Sequence, residues 1–246
     1  MCETYQEQVQ RLVHALGRSQ YQAIVDDLQS GSTADRLRLF VDGNCEKRFE
    51  KLSDQLEFVA EAFDDFEHLI EVFIRQHPLA AYDTAVSDAE RMLLWLLDKR
   101  PLSPEQRDYV LCQRARHAVV ELARCNRSGH VAFQQKLIAQ RRAGMRVDLA
   151  TAVLHLNPIR SNATFVTRCL LDSLSEPPTE VLFFPDGHEI ASVVLEPTAL
   201  KALLVLVGIE PCTLAAWAER LKVESEELRE TAERLLEVGL LAMEVN

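Results

Sequence analysis

The sequence lacks several features that define common protein classes. It contains no uncharged apolar run of about 18 residues, so a transmembrane helix is not expected. Its first residues, MCETYQEQVQRLV, have neither the basic start nor the apolar stretch of a signal peptide. These absences predict a soluble, cytoplasmic protein.

Paired cysteines and clustered histidines are also missing. No C-x-x-C pair occurs, and no cysteine has a histidine at metal-ligand spacing, so neither a zinc site nor a disulfide framework is predicted. The histidines show no pattern with paired acids or with a second histidine. We therefore expect no catalytic residues, no metal ligands and no cofactor in this chain, and we expect buried free thiols.

The charge of the chain is unevenly distributed around a net value of −11. Residues 101–146 carry three acidic and nine basic side chains, whereas the flanking segments are acidic. A basic band of this kind, Arg107 to Arg146, favours an acidic partner surface or a phosphate backbone. The alternative is that these arginines only solvate two helices and pair with neighbouring acids.

Apolar residues at three-to-four spacing predict helices through the first 145 residues. Helix ends are also readable: Ser87 and Ser103 are N-cap candidates, with Pro104 at the first helical position and Gln106 completing a capping box. The chain is therefore predicted to be mostly α with a small β-sheet (α+β). A helical bundle over 1–146 precedes a winged-helix-like domain over 147–246.

A small hairpin is predicted in the stretch TEVLFFPDGHEIASVVLEP, Thr179 to Pro197. Alternation places Val181 and Phe183 on one face and Leu182 and Phe184 on the other, and Pro185-Asp186-Gly187 is predicted to turn the chain before Ile190–Leu195. A further short strand is predicted at Ala152–Leu156. So few strands leave an unpaired edge that natural proteins normally block, and few blocking charges occur here. The alternative is that the hairpin only packs against the neighbouring helices.

The last 50 residues predict three helices, a pattern typical of a winged helix. DNA binding is the obvious function of such a domain, but the third helix has six glutamates between Glu224 and Glu237 against Arg229 and Arg234. Phosphates would repel it. Strand addition of a peptide explains the hairpin and the acidity together, while a purely structural winged helix and a transcription regulator with a helical sensor domain are the alternatives.

A series of short motifs carries a family resemblance over about residues 33–210. In order, they are DRLRLFVDGNCEKRFEKL, DDFEHLIEVFIRQHP, SDAERMLLWLL, VLHLNPIRS and EVLFFPDGHEIASVVLEPTALKALLVL. Together they resemble the partner subunits of multinuclear iron-dependent peptide-modifying oxidases, the TglI/MbnC/HvfC-like family. In that family, a TIM-barrel subunit holds the iron ions and oxidises a cysteine of a ribosomally made peptide, as in 3-thiaglutamate or methanobactin biosynthesis.

The resemblance implies a non-catalytic subunit that docks on the barrel as a heterodimer and captures the leader of the precursor peptide. The iron ions are expected in the partner subunit, and no nucleic acid or membrane partner is expected. The motif positions imply a partner interface at Arg36, Phe40, Asn44, Phe66, Phe73 and His77. The hairpin implies peptide contacts at Val181, Phe183, Phe184, Ile190, Ser192, Val193 and Val194.

Two of the interface residues have simpler explanations from the sequence. His77 follows a helix and can act as a cation at its negative end. Asn44 is polar on an apolar helix face and can be a buried hydrogen-bonding residue. Both explanations remain open beside the interface assignment.

Overall fold

The computed structural model describes residues 31–77, 86–143, 149, 151–171, 176–187 and 189–244. For residues 31–41 and 143 it describes the backbone only. The chain divides into two compact units, Met1–Gln113 and Arg114–Asn246, and the division falls inside a helix. Among the described residues, no helix is both long enough and apolar enough to cross a membrane.

The described residues of the first unit form helices joined by short turns and contain no strand. It comprises α1 (Gly31–Gln55), α2 (Glu57–Ala60), α3 (Phe66–Gln76), α4 (Asp88–Lys99) and the beginning of α5 (Pro104–Cys125). Their apolar faces form one core from Leu52, Leu56, Val59, Leu69, Ile70, Phe73, Met92, Leu93, Leu96 and Val110. The predicted bundle is therefore present.

Two helix starts in this unit, those of α4 and α5, follow the predicted capping chemistry. Ser87 Oγ accepts a hydrogen bond from Glu90 N at 3.1 Å and begins α4. At the start of α5, Ser103 Oγ accepts from Gln106 N at 3.1 Å, and Gln106 Oε1 accepts from Ser103 N at 3.0 Å. These reciprocal bonds are the predicted capping box, which satisfies two otherwise unpaired donors.

The second unit combines helices with two small antiparallel sheets. After the end of α5 come α6 (Arg127–Ala143), β1 (Val153–Leu156), β2 (Ser161–Phe165), β3 (Thr179–Asp186) and β4 (Glu189–Leu195). Then follow α7 (Pro197–Val207), β5 (Cys212–Thr213), α8 (Leu214–Leu221), α9 (Ser225–Glu237) and β6 (Leu241–Met243). The fold is thus α+β, as predicted.

The two sheets have the strand orders β5-β1-β6 and β2-β3-β4. The predicted strand at Ala152–Leu156 is confirmed as β1, but it joins β5 and β6 rather than the hairpin. One core lies beneath the second sheet and includes Leu182, Phe184, Leu206, Trp217 and Leu235. Trp217 is fully buried, and its Nε1 donates to the carbonyl oxygen of Ala202 at 2.9 Å.

Three helices, α7 to α9, follow the hairpin as predicted. Thr213 Oγ1 accepts from Ala216 N at 3.3 Å and caps α8. Gly239, with φ of 79°, lies two residues after α9 and leads into β6. β5 and β6, which lie within this helical segment of the chain, form a three-stranded sheet with β1, which precedes the segment in sequence.

The boundary between the units differs from the predicted boundary at residue 146. The contacts group the second half of α5 and all of α6 with the C-terminal unit. Phe133 and Leu137 of α6 pack against Ala242 of β6, which explains this grouping. Because this contact joins residues about a hundred positions apart, helical periodicity alone did not reveal it.

Candidate functional site

The hairpin β3–β4 places β4 at the edge of its sheet. β3 lies between β2 and β4, so one side of β4 has no neighbouring strand in the part of the chain that the structure describes. Among the described residues, 189–195 make no backbone hydrogen bond outside their ladder with β3. The predicted unpaired edge is therefore seven residues long.

The turn of the hairpin lies later than predicted. β3 continues through Pro185 to Asp186, which pairs with Glu189, so the loop contains only Gly187 and residue 188. Gly187 has a φ of 63°, a conformation that glycine adopts without strain. Position 188, which the hairpin prediction included, lies outside the described residues.

The register shows which backbone groups of β4 point outward. Pro185 pairs with Ile190 and has no N–H, so this pair fits a position where the two strands exchange no hydrogen bonds. Paired positions alternate between the bonded and non-bonded types in an antiparallel ladder. It follows that Ile190, Ser192 and Val194 direct their N–H and C=O groups toward the open side.

Side chains of β4 alternate between two environments. Ala191 and Val193 pack against the core beneath the sheet. On the opposite face, Ser192 is exposed and Val194 is 37% exposed. The open edge therefore has small or apolar side chains on both faces and no charge between Glu189 and Glu196.

Other strand edges in the described chain differ from that of β4. Gln140 Oε1 of α6 accepts a hydrogen bond from Met243 N at 2.9 Å and so occupies an outer donor of β6. β5 has only two residues. On β2, the exposed Asn162 and Thr164 side chains bond to Glu180, so this strand presents polar groups. β4 is thus the edge with accessible apolar side chains.

The predicted peptide-contact residues fall into two groups. Val181, Phe183 and Phe184 lie on the central strand and are 0–4% exposed, so their side chains are interior and form no surface pocket. For these three, peptide contact stays a prediction, which their buried side chains do not favour. Ile190, Ser192, Val193 and Val194 lie on the edge strand, where all four are partly or fully exposed.

One end of α6 lies beside the tip of the hairpin. Arg141 Nη2 is 3.2 Å from Asp186 Oδ1, and both side chains are well exposed. Lys136 Nζ, one turn earlier, is 3.4 Å from Glu244 Oε2, which also bonds to His155 Nε2 at 3.0 Å. Bonds to His155 and Lys136 lower the pKa of Glu244. These pairs join α6 to both sheets.

Part of the predicted basic band is therefore used within the chain. Arg124 pairs with Glu121 on the same helix, in addition to the pairs of Lys136 and Arg141. This outcome agrees with the alternative in which the bases pair with neighbouring acids. By contrast, Arg116, Arg127 and Arg142 are exposed and have no ion-pair partner in the described part of the chain.

The predicted partner interface lies in the first unit, on α1 and α3. Phe73 is fully buried and Phe66 is 6% exposed, so both belong to the bundle core, and their contact with a partner stays a prediction that this burial does not favour. Asn44 is half-buried on α1. Arg36 and Phe40 also lie on α1, for which the structure describes only the backbone at these positions.

His77 ends α3 and is held in place by the core. Its ring stacks on Phe73 with centroids 4.9 Å apart, and its carbonyl oxygen accepts from Arg48 Nη2 at 3.0 Å. Burial lowers the pKa of His77, and the nearby charges of Arg48 and Arg91 lower it further. The predicted role as a cation at the helix end is therefore not supported, because the neutral ring is favoured.

A shallow groove of about 470 Å³ lies between α1 and α3. Cys45, Glu46, Phe49, Glu71, Ile74 and Arg75 line it. These residues occur within the two motifs that predicted the interface, but the prediction selected other positions of the same motifs. Phe49 and Ile74 could have been found only by knowing which helix faces meet.

No metal centre is present among the described residues, because nowhere do three His, Cys, Asp or Glu side chains converge. The sequence matches no protein-family model, and no curated protein is significantly similar to it.

Proposed function

We propose that this chain is the accessory, substrate-recognition subunit of an iron-dependent oxidase that modifies a peptidyl cysteine. It binds the leader of a ribosomally made precursor peptide and presents the cysteine to a TIM-barrel partner that holds the iron. The chain supplies recognition, and the partner supplies the redox chemistry. The motif resemblance suggests the partner and the reaction, of which excision of a cysteine β-carbon is one example.

The open edge of β4 is the observation that supports peptide binding most directly. Three outward N–H groups at Ile190, Ser192 and Val194 can pair with the backbone of an extended peptide. Main-chain pairing contributes affinity for any extended segment, and apolar side chains on both faces of the strand favour an apolar one. The peptide thereby becomes a fourth strand of the β2-β3-β4 sheet.

The alternative of a DNA-binding winged helix is disfavoured by the surface of α9. Leu228, Ala232 and Leu235 are buried, so the opposite face of the helix meets solvent. That exposed face carries Glu226, Glu230, Glu233 and Glu237. Phosphates would be repelled by a recognition helix of this kind.

A proline substitution at the edge tests strand addition. Ser192→Pro removes one outward donor without removing a ladder bond to β3, whereas Ser192→Ala retains the N–H and serves as the matched control. The probe is a synthetic, extended apolar peptide that contains a cysteine, and its binding is measured by calorimetry. We expect Ser192→Pro to weaken binding by about tenfold or more, because a donor is lost and the ring obstructs the peptide. Equal affinities of the two folded variants would contradict strand addition at β4.

Amide exchange gives a second, independent measurement. The outward amides of Ile190, Ser192 and Val194 should exchange rapidly in the free chain and become protected when peptide binds. The inward amides of Ala191 and Val193 should be protected in both states. Protection confined to another segment would exclude β4 as the peptide site.

A further inference from the structure

A long basic and apolar stripe runs along α5 and α6. Arg116, Val120, Arg124 and Arg127 follow one another at spacings of four, four and three residues. On α6, Val131, Ile138 and Arg142 follow at spacings of four, seven and four residues from Arg127. We call this set the arginine–valine stripe.

The two helices meet at Asn126, which lies between them. Asn126 N donates to Leu122 O at 2.8 Å, and His130 N donates to Asn126 O at 3.0 Å. Asn126 Oδ1 accepts from Gly129 N at 3.2 Å, as an N-cap residue does at the start of a helix. The stripe therefore extends over two successive helices, and its members are exposed on both.

The aliphatic members of the stripe are unusually exposed for their type. Val120 is 53% exposed, Val131 is 46% exposed and Ile138 is 47% exposed. The buried side of α6, by contrast, contributes Phe133 and Leu137 to its contact with β6. Exposed aliphatic side chains interleaved with arginine are typical of protein interfaces, where apolar contacts and arginine are both enriched. A phosphate backbone would use the arginines but not the valines and isoleucine.

The same unit carries a complementary surface on α9. Glu226, Glu230, Glu233 and Glu237 follow one another at spacings of four, three and four residues, opposite the buried face. Arg229 and Arg234 pair with Glu226 and Glu230, which leaves Glu233 and Glu237 without an ion-pair partner among the described residues. The first part of the arginine–valine stripe, from Arg116 to Arg127, covers as many residues as the glutamate face from Glu226 to Glu237, about 16 Å at the rise of an α-helix.

We infer that the arginine–valine stripe of one copy binds the glutamate face of α9 in a second copy. A two-fold dimer contains this contact twice, because each copy offers both surfaces. The arginines pair with the glutamates, and the exposed aliphatic side chains pack against the apolar stems of the glutamates. The inference concerns self-association and does not depend on the peptide or on the oxidase partner.

Charge exchange between two variants tests this contact with purified protein alone. One variant, Arg116→Glu/Arg127→Glu, alters the basic stripe and is called the basic variant. The other, Glu233→Lys/Glu237→Lys, alters the acidic face of α9 and is called the acidic variant. Both change only exposed side chains, and sedimentation velocity measures the mass of each protein in solution. We expect the intact chain to form dimers. Each variant alone should associate at least about tenfold more weakly than the intact chain. An equal mixture of the two variants should dimerise again, since both contacts become complementary in the mixed pair.

A matched control separates this contact from the effect of net charge. Lys51→Glu/Lys201→Glu makes the same change in charge as the basic variant at two exposed positions outside both stripes, and it should dimerise like the intact chain. A monomeric intact chain would overturn the inference. So would continued dimerisation of both stripe variants, failure of the mixture to associate, or equal weakening by the control pair.

Discussion

The contact between Gln140 and β6 gives a direct test of how the chain closes its strand edges. Gln140→Met retains side-chain length and helix propensity but removes the oxygen that accepts from Met243 N at 2.9 Å. Met243 is 8% exposed, so its N–H has little access to water as a substitute. Leaving such a donor unpaired costs about 1 to 3 kcal/mol in the free energy of unfolding.

The two tryptophans allow this cost to be measured for the C-terminal unit. Trp217 lies in the core of that unit and Trp95 in the core of the helical bundle. In a Trp95→Phe background, fluorescence during urea unfolding reports on Trp217 alone. Gln135→Met, at an exposed position on the same helix, is the matched control and should change the unfolding free energy by less than about 0.5 kcal/mol.

Amide exchange adds a local readout at Met243. A loss of about 1.4 kcal/mol at this bond corresponds to about tenfold faster exchange of the Met243 amide. Equal stability of the Gln140 and Gln135 variants, together with unchanged exchange, would refute the argument that Gln140 closes this edge. It would also remove the contrast that distinguishes β6 from the open edge of β4.

Three further predictions concern local features of the two units. Because the pKa of His77 is lowered in the folded chain, the unfolded state takes up a proton first as the pH falls below about 6.5. The unfolding free energy should therefore decrease in that range and level off below the pKa of the folded state. His77→Gln should remove this pH dependence when unfolding is followed by Trp95 fluorescence. Arg48 Nε is 2.8 Å from Asp88 Oδ2 in a partly buried pair. Asp88→Asn should therefore destabilise the bundle by about 1 to 3 kcal/mol in urea unfolding. A change near zero would show that water satisfies Arg48 in the variant. Gly239 has a φ of 79°, so Gly239→Ala should cost about 1 to 2 kcal/mol by Trp217 fluorescence, and no loss would mean that the backbone relaxes.

Local chemistry in the sequence was enough to locate most elements of secondary structure. The capping box at Ser103 and Gln106, the N-cap at Ser87 and the glycine after α9 each act within a few residues. Alternation over residues 179–195 likewise predicted the hairpin, since both strands and their turn are adjacent in the chain. The loop began later than predicted because Pro185 fits a ladder position that needs no donor.

The neighbours of each element were decided by tertiary structure. Nothing near Val153 indicates that β1 pairs with residues 241–243, and nothing near Gln140 indicates that it accepts from Met243. Phe73 is conspicuous in its motif, yet its full burial depends on packing among separate helices. Helical spacing specifies a face of a helix but not what covers it, because burial is a property of the surrounding packing. For this reason the sequence alone predicted the existence of the hairpin edge, and only the folded chain showed that β4 is an edge strand with accessible apolar side chains.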